Sequence, residues 1–143
     1  MSTHYTVKQV VLVPRDLRTA DGHKVRTGKL MAQAGHAAMA WLGSRFRNAA
    51  HGAAVDGYYS ICLTNAEEDW LVHGAFAKIV LGVENEVDLH NLVAEARIKF
   101  LPAEVITDAG HTEFRGVPTV TCAAIGPGPS DLIDQITGHL KPF

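Results

Sequence analysis

Gln9-Val10-Val11-Leu12-Val13 is the run that most limits how this chain folds. Four consecutive apolar residues, three of them β-branched, suit a strand buried on both faces. Such a strand needs a layer on each side, and the rest of the chain supplies helices for both. Pro14 ends the run. Arg15 to Thr27 is a polar loop with an Asp21-Gly22 turn, and Thr27 is a candidate helix N-cap. From Gly28 to about Arg47 the chain is rich in Ala, Leu and Met, which favour a helix.

Further on, His51 to Asn65 shows little periodicity, and a short helix is expected over Ala66–Ala75. Lys78–Val83 reads as a second strand. Glu86–Lys99 carries Val87, Leu89, Leu92, Val93 and Ala96 near a 3.6-residue period, which predicts an amphipathic helix stopped by Pro102. Glu104–Thr107 and Thr119–Ile125 read as two more strands. Gly126-Pro127-Gly128-Pro129 is expected to be a rigid loop, with Ser130 capping a last helix. Alternating strands and helices predict an α/β fold. The expected architecture is a single three-layer domain over residues 1–143. Its sheet would be mixed, mostly parallel and four-stranded, with helices on both faces and an irregular insertion at about 43–75.

With 143 residues, 47% hydrophobic and 20% charged, the chain can bury a core without disulfide or metal staples. No apolar run reaches the roughly 20 residues that span a bilayer, so no membrane is expected. The N-terminus shows no charged segment followed by an apolar core, so no signal peptide is expected either. Cys62 and Cys122 form no CxxC. A disulfide between them stays open, but Cys122 inside a strand-like run reads as a small core residue, and the chain reads as reduced and cytoplasmic.

Net charge is −2, yet it is unevenly spread. Residues 1–48 carry eight Lys and Arg against two Asp, and the remainder is acidic by eight charges. A basic face attracts phosphate even on an acidic molecule. Scattered, solvated side chains are the alternative.

Two segments carry candidate chemistry. The first is the turn Asp108-Ala109-Gly110-His111-Thr112, between the apolar runs Ala103–Thr107 and Val117–Ile125. It offers a carboxylate and a hydroxyl at a strand end, where open α/β sheets hold reactive groups. The second is the start of the first long helix. Lys29, Gln33 and His36, spaced i, i+4, i+7, fall within about 60° of one another and form a polar stripe among small residues. The stripe either faces a cleft or leaves Lys29 and Gln33 in solvent with a half-buried His36. Lys29 in the first turn opposes the helix dipole, which a bound phosphate would reverse.

Other motifs fail. Gly28-Lys29 is followed by Leu30 and preceded at the required position by His23, so there is no phosphate-binding P-loop. There is no GxSxG, no HExxH and no His/Cys ligand pair, and Gly126-x-Gly128 lacks the rest of a dinucleotide fingerprint. No metal and no nucleotide cofactor is expected. Trp41 and Trp70 read as core.

Taken in order, Lys8–Val13, Gly28-Lys29 through Gln33 to His36-Ala37-Ala38, Asp108-Ala109-Gly110 with Thr112, and the tail from Ala124-Ile125-Gly126-Pro127 to Thr137-Gly138-His139-Leu140 resemble the class II, archaeal and eukaryotic type, peptidyl-tRNA hydrolase family. The likeness covers about 8–42 and 76–141. It implies a compact α/β domain, often a homodimer, acting without a cofactor. It also implies hydrolysis of the ester between a peptide and the 3′ ribose of tRNA. Positions matching the family's functional residues are Lys29, Gln33, His36, Asp108, Thr112 and Thr121, with Thr119 chosen by an alternative register. The chain departs from the pattern in a longer loop at Arg18–Thr27, in His111 and Glu113, and in residues 43–75.

On this reading Asp108 orients or deprotonates water, and Thr112 and Thr121 position water or the carbonyl. Lys29 stabilises the oxyanion or holds a tRNA phosphate, while Gln33 and His36 orient the others. His36 is the alternative base, because imidazoles titrate near neutrality. Arg15, Arg18, Lys24, Arg26, Arg45 and Arg47 would grip the tRNA backbone. A non-catalytic binder of the same fold and a small-molecule esterase or amidase are the rival readings.

Overall fold

The computed structural model of the protein describes residues 5–49 and 57–143. Its elements run β1 (Val7–Pro14), α1 (Thr27–Ala49), α2 (Asn65–Leu71), β2 (Lys78–Val83), α3 (Glu86–Ile98), β3 (Ala103–Asp108), β4 (Thr119–Pro129), α4 (Ser130–Thr137) and β5 (Lys141–Pro142). The strands form one sheet in the order β3-β4-β1-β2-β5.

Every residue of β1 is buried, as its sequence requires. Val10 and Leu12 point into a layer built with Leu89 and Val93 of α3 and Ile133 of α4. Val11 and Val13 point the other way, onto Ala37 of α1 with Cys122 and Ala124 of β4. A third cluster joins Val7, Trp41 and Trp70 where α1 meets α2, the two indoles edge-to-face at 6.3 Å. The three-layer α/β plan with helices on both faces is thus observed, and both tryptophans are core.

Two details of the sheet differ from expectation. Among the described residues it has five strands, and only the β1–β2 pair is parallel, the pairs β1–β4, β3–β4 and β2–β5 being antiparallel. The reason lies in the connections. β1 and β2 are joined by helices, which allow a parallel crossover, whereas residues 109–118 between β3 and β4 contain no helix, so that pair must be antiparallel.

The segment Gly126–Pro129 belongs to β4 and is not a loop. Gly128 and Pro129 pair with Lys8 and Val7 after a register shift between Lys8 and Val10. Gly126 absorbs the shift at φ 97°, where a Cβ would run into the Lys8 carbonyl, and prolines are tolerated beside such irregularities. The helix caps also fall one residue early. Leu30 N–H bonds the Arg26 carbonyl, so Thr27 is already helical, and Ser130 is the first residue of α4 behind Pro129. Within 43–75, α1 continues to Ala49 and α2 is capped by the Thr64 hydroxyl on Glu67 N–H, while 50–56 lie outside the described residues. Cys62 and Cys122 are both free thiols.

Candidate active site

The fold brings the end of β3, the first two turns of α1 and the start of β4 together. Asp108 closes β3, and its carboxylate accepts three hydrogen bonds. Lys29 Nζ donates to Oδ2 at 2.7 Å, Gln33 Nε2 to the same oxygen at 3.1 Å, and the Gly110 N–H to Oδ1 at 2.9 Å. Gln33 is buried and spans the cluster: its Oε1 accepts from the Thr121 hydroxyl at 2.6 Å. Lys29 Nζ also reaches Thr112 Oγ1 at 3.4 Å and lies 6.0 Å from the Phe114 ring centre. The result is one connected network from buried Thr121 to exposed Thr112.

Three local features build it. Residues 29 and 33 are one helical turn apart, so both reach the same carboxylate. Gly110 takes φ 88°, and a Cβ there would strike the Val117 backbone. The register of β3 on β4 slips between Ile106 and Thr107, whose partners are Cys122 and Val120. Thr121 is therefore the extra residue of a bulge, and it turns to the same face as Cys122, toward α1. Thr119 instead pairs with Asp108 in the ladder and donates its hydroxyl to the Val117 carbonyl. The structure thus separates the two threonines that sequence left open. Replacing Gly110 by Ala is expected to destabilise the fold by at least about 1 kcal/mol, measured as a lower denaturant midpoint at unchanged slope.

The Lys29 ammonium holds the Asp108 carboxyl below its ordinary range, with Gly110 and Gln33 adding to the effect against partial burial. Asp108 is accordingly an anion at neutral pH. Carboxylate, ammonium, amide and hydroxyl within one network can order a water, hold a carbonyl and stabilise an oxyanion.

The remaining expected residues are more scattered. His36 is exposed on α1, beside Gly35 and Met39, and makes no hydrogen bond to the cluster. It therefore does not orient Asp108, because the helix carries it beyond the strand end that Gln33 reaches. Of the six cations, Arg45 is committed to Glu67 at 2.8 Å and lies over Trp41. Arg15 bonds the carbonyls of Lys141 and Pro142, and Arg18 those of Arg15 and Leu17. Arg47 sits at the far end of α1 on the Ser44 hydroxyl. Lys24 and Arg26 alone of the six line the cleft next to Thr112. They do not make one continuous basic face, since two salt-bridge and carbonyl anchors hold Arg45 and Arg15 elsewhere. Phe114 beneath Lys29 escaped the sequence reading, where only its nearness to Thr112 hinted at it. Glu113, named there only as a departure from the family pattern, pairs with Arg26 at 2.5 Å. Among the described residues no group of three His, Cys, Asp or Glu side chains is placed to hold a metal, and no helix is long and apolar enough to cross a membrane.

Residues 7–143 match the family model described as Peptidyl-tRNA hydrolase PTH2. The chain is 38% identical to a peptidyl-tRNA hydrolase of Metallosphaera sedula over 139 residues, covering 94% of this chain and 98% of that one. It is 35% identical to that of Methanocaldococcus jannaschii over 136 residues, with the same two coverages. It is also 35% identical to the mitochondrial peptidyl-tRNA hydrolase 2 of Homo sapiens over 138 residues, which are 95% of this chain and 64% of the human one.

Proposed function

Because the chain belongs to the peptidyl-tRNA hydrolase PTH2 family, we propose that it hydrolyses the ester joining a peptide to the 3′ ribose of tRNA, with Asp108 and Lys29 at the reaction centre. The observation that carries this assignment is the Lys29–Asp108 pair, bridged through Gln33 to Thr121.

A carboxylate has about four lone-pair positions, and Asp108 uses three, which leaves room for a water. That water attacks the ester carbonyl carbon. As the carbon–oxygen bond forms, the proton passes to Asp108 and negative charge gathers on the carbonyl oxygen. Lys29 turns toward that oxygen, and Thr112 positions the attacked group. Losing Lys29 raises the proton affinity of Asp108 at the moment it must accept the proton. Collapse of the intermediate breaks the ester bond, and the proton leaves with the ribose 3′ oxygen. Gln33 and buried Thr121 keep the carboxylate aimed. His36, outside the network, is not needed as base.

Lys24 and Arg26, beside Thr112, would hold the tRNA backbone, with exposed Arg18 and Arg47 contributing at longer range. Binding should weaken steeply with salt. A single-domain protein acting in the cytoplasm as a homodimer, without a cofactor, completes the reading.

Release of the acyl group from an N-acetyl-aminoacyl-tRNA tests it. Turnover is expected; affinity without release would favour a binder, and release from small esters without RNA affinity would favour an esterase. The pH profile of kcat/KM adds a sign. Because the carboxyl of Asp108 lies below its ordinary range, the active anion persists through that range, about pH 3.9, and is lost only as pH falls below it. An acidic limb near neutrality would contradict Asp108 as the titrating group.

A further inference from the structure

We propose that the cleft between the 15–27 arm and the 109–118 loop holds the phosphodiester nearest the scissile ester, the one linking the last two nucleotides of the tRNA. The proposal rests on the hydrolase reading above and assigns a place to one particular phosphate.

The cleft has a volume of about 310 Å³, and its lining includes Thr19, His23, Lys24, Arg26, Thr112 and Arg115. Thr112 belongs to both cleft and reaction centre, its hydroxyl lying 3.4 Å from Lys29 Nζ. A group in the cleft is therefore a direct neighbour of one at Lys29. The terminal ribose carries its ester on one side and its own phosphate on the other, so the two sites match two parts of one nucleotide.

Charge favours an anion. Lys24, Arg26 and Arg115 face the cleft with two carboxylates, Asp21 and Glu113. Those carboxylates are paired, Asp21 with Arg115 and Glu113 with Arg26. Lys24 forms no ion pair among the described residues, which leaves the cleft cationic. Arg115 and Asp21 are 71% and 55% exposed in their side chains, and a pair in that setting holds weakly, whereas Glu113, 7% exposed, keeps Arg26. A phosphate, which suits a guanidinium fork in two places at once, can take Arg115 and share Arg26. Among the described residues the lining holds no Phe, Tyr or Trp on which a base would stack, which favours backbone over base.

The arm is also built, not trailing. Thr19 N–H bonds the His23 carbonyl at 2.8 Å, Gly22 N–H the Thr19 carbonyl at 2.9 Å, and Ala20 N–H crosses to the Glu113 carbonyl at 2.9 Å. Arg18 and Lys24 form an antiparallel bridge that closes the arm into a hairpin. This hairpin holds Lys24 and His23 over the loop that carries Thr112 and Arg115.

The test pairs a protein change with a substrate change. N-acetyl-aminoacyl-tRNA is made with its native last linkage or with a neutral methylphosphonate there, and each is given to wild type and to the Lys24→Ala/Arg115→Ala double variant. In wild type the neutral linkage is expected to raise KM about tenfold. The double variant should raise KM similarly on native substrate, lose about one unit of salt slope, and no longer distinguish the two linkages. Arg115→Lys should recover part of the loss, and unchanged melting temperatures show that the fold is kept. Equal losses by the variant on both substrates, or no linkage effect in wild type, would overturn the proposal while leaving hydrolysis in place. No acyl release from either substrate would instead overturn the hydrolase reading, and the cleft assignment with it.

Discussion

Replacing Asp108 by Asn is expected to lower the rate of acyl release about 100-fold or more, at nearly unchanged thermal stability. Asparagine keeps the shape and can still accept from Lys29 through its amide oxygen. It removes the charge that pairs with the ammonium, and with its oxygen on Lys29 and Gln33, which share Oδ2, it presents an NH2 group where Oδ1 accepted from Gly110. Two donors then face each other, so the side chain no longer aims a water and has no capacity to take its proton. General-base contributions of 10²–10⁴ set the scale. Single-turnover release from N-acetyl-aminoacyl-tRNA, with melting curves on the same samples, measures it. A rate within threefold of wild type would remove Asp108 from the chemistry.

The second large effect belongs to Lys29. Lys29→Met retains the apolar stem over Phe114 but removes the ammonium. Loss of a preorganised charge beside a developing oxyanion costs about 10²–10³ in rate. A further signature separates this from general damage. The Lys29 hydrogen bond is the largest cause holding the Asp108 carboxyl low. Without it the residual activity should begin to fall at higher pH than in wild type, toward the ordinary carboxylate range. The sign follows from the linkage: a depressed carboxyl keeps its anion to lower pH, and restoring its ordinary value restores protonation at higher pH. A slow variant with an unmoved acidic limb would place Lys29 elsewhere, for example on substrate alone.

Much of this arrangement was legible in the chain. The apolar run of β1 demanded cover on both faces and received it. The i, i+4 spacing of Lys29 and Gln33 did put two polar groups on one carboxylate, and the Asp-Ala-Gly turn did close a strand. What escaped reading depended on pairing between distant segments. The bulge that turns Thr121 toward Gln33 arises from a register slip against Ile106 and Thr107, so spacing alone left Thr119 equally eligible. Gly126–Pro129 carries every local mark of a loop, yet β1 offers it a ladder and Gly126 takes the left-handed conformation that the slip needs. His36 continues the stripe by helical arithmetic, but the strand end it would have to meet lies at Gln33's turn. Arg45 counts toward a basic face only until Glu67, fixed on α2, neutralises it. Side chains whose partners lie in another element cannot be assigned from their own neighbours.

A double-mutant cycle on Lys29 and Asp108 puts the central idea to its most direct trial. Acyl release is measured for wild type, Lys29→Met, Asp108→Asn and the two together. Residues that act as a unit lose little more jointly than singly, so the double variant should be within about threefold of the slower single one. If the two losses instead multiply in full, the pair is a structural neighbour of the reaction and not its centre.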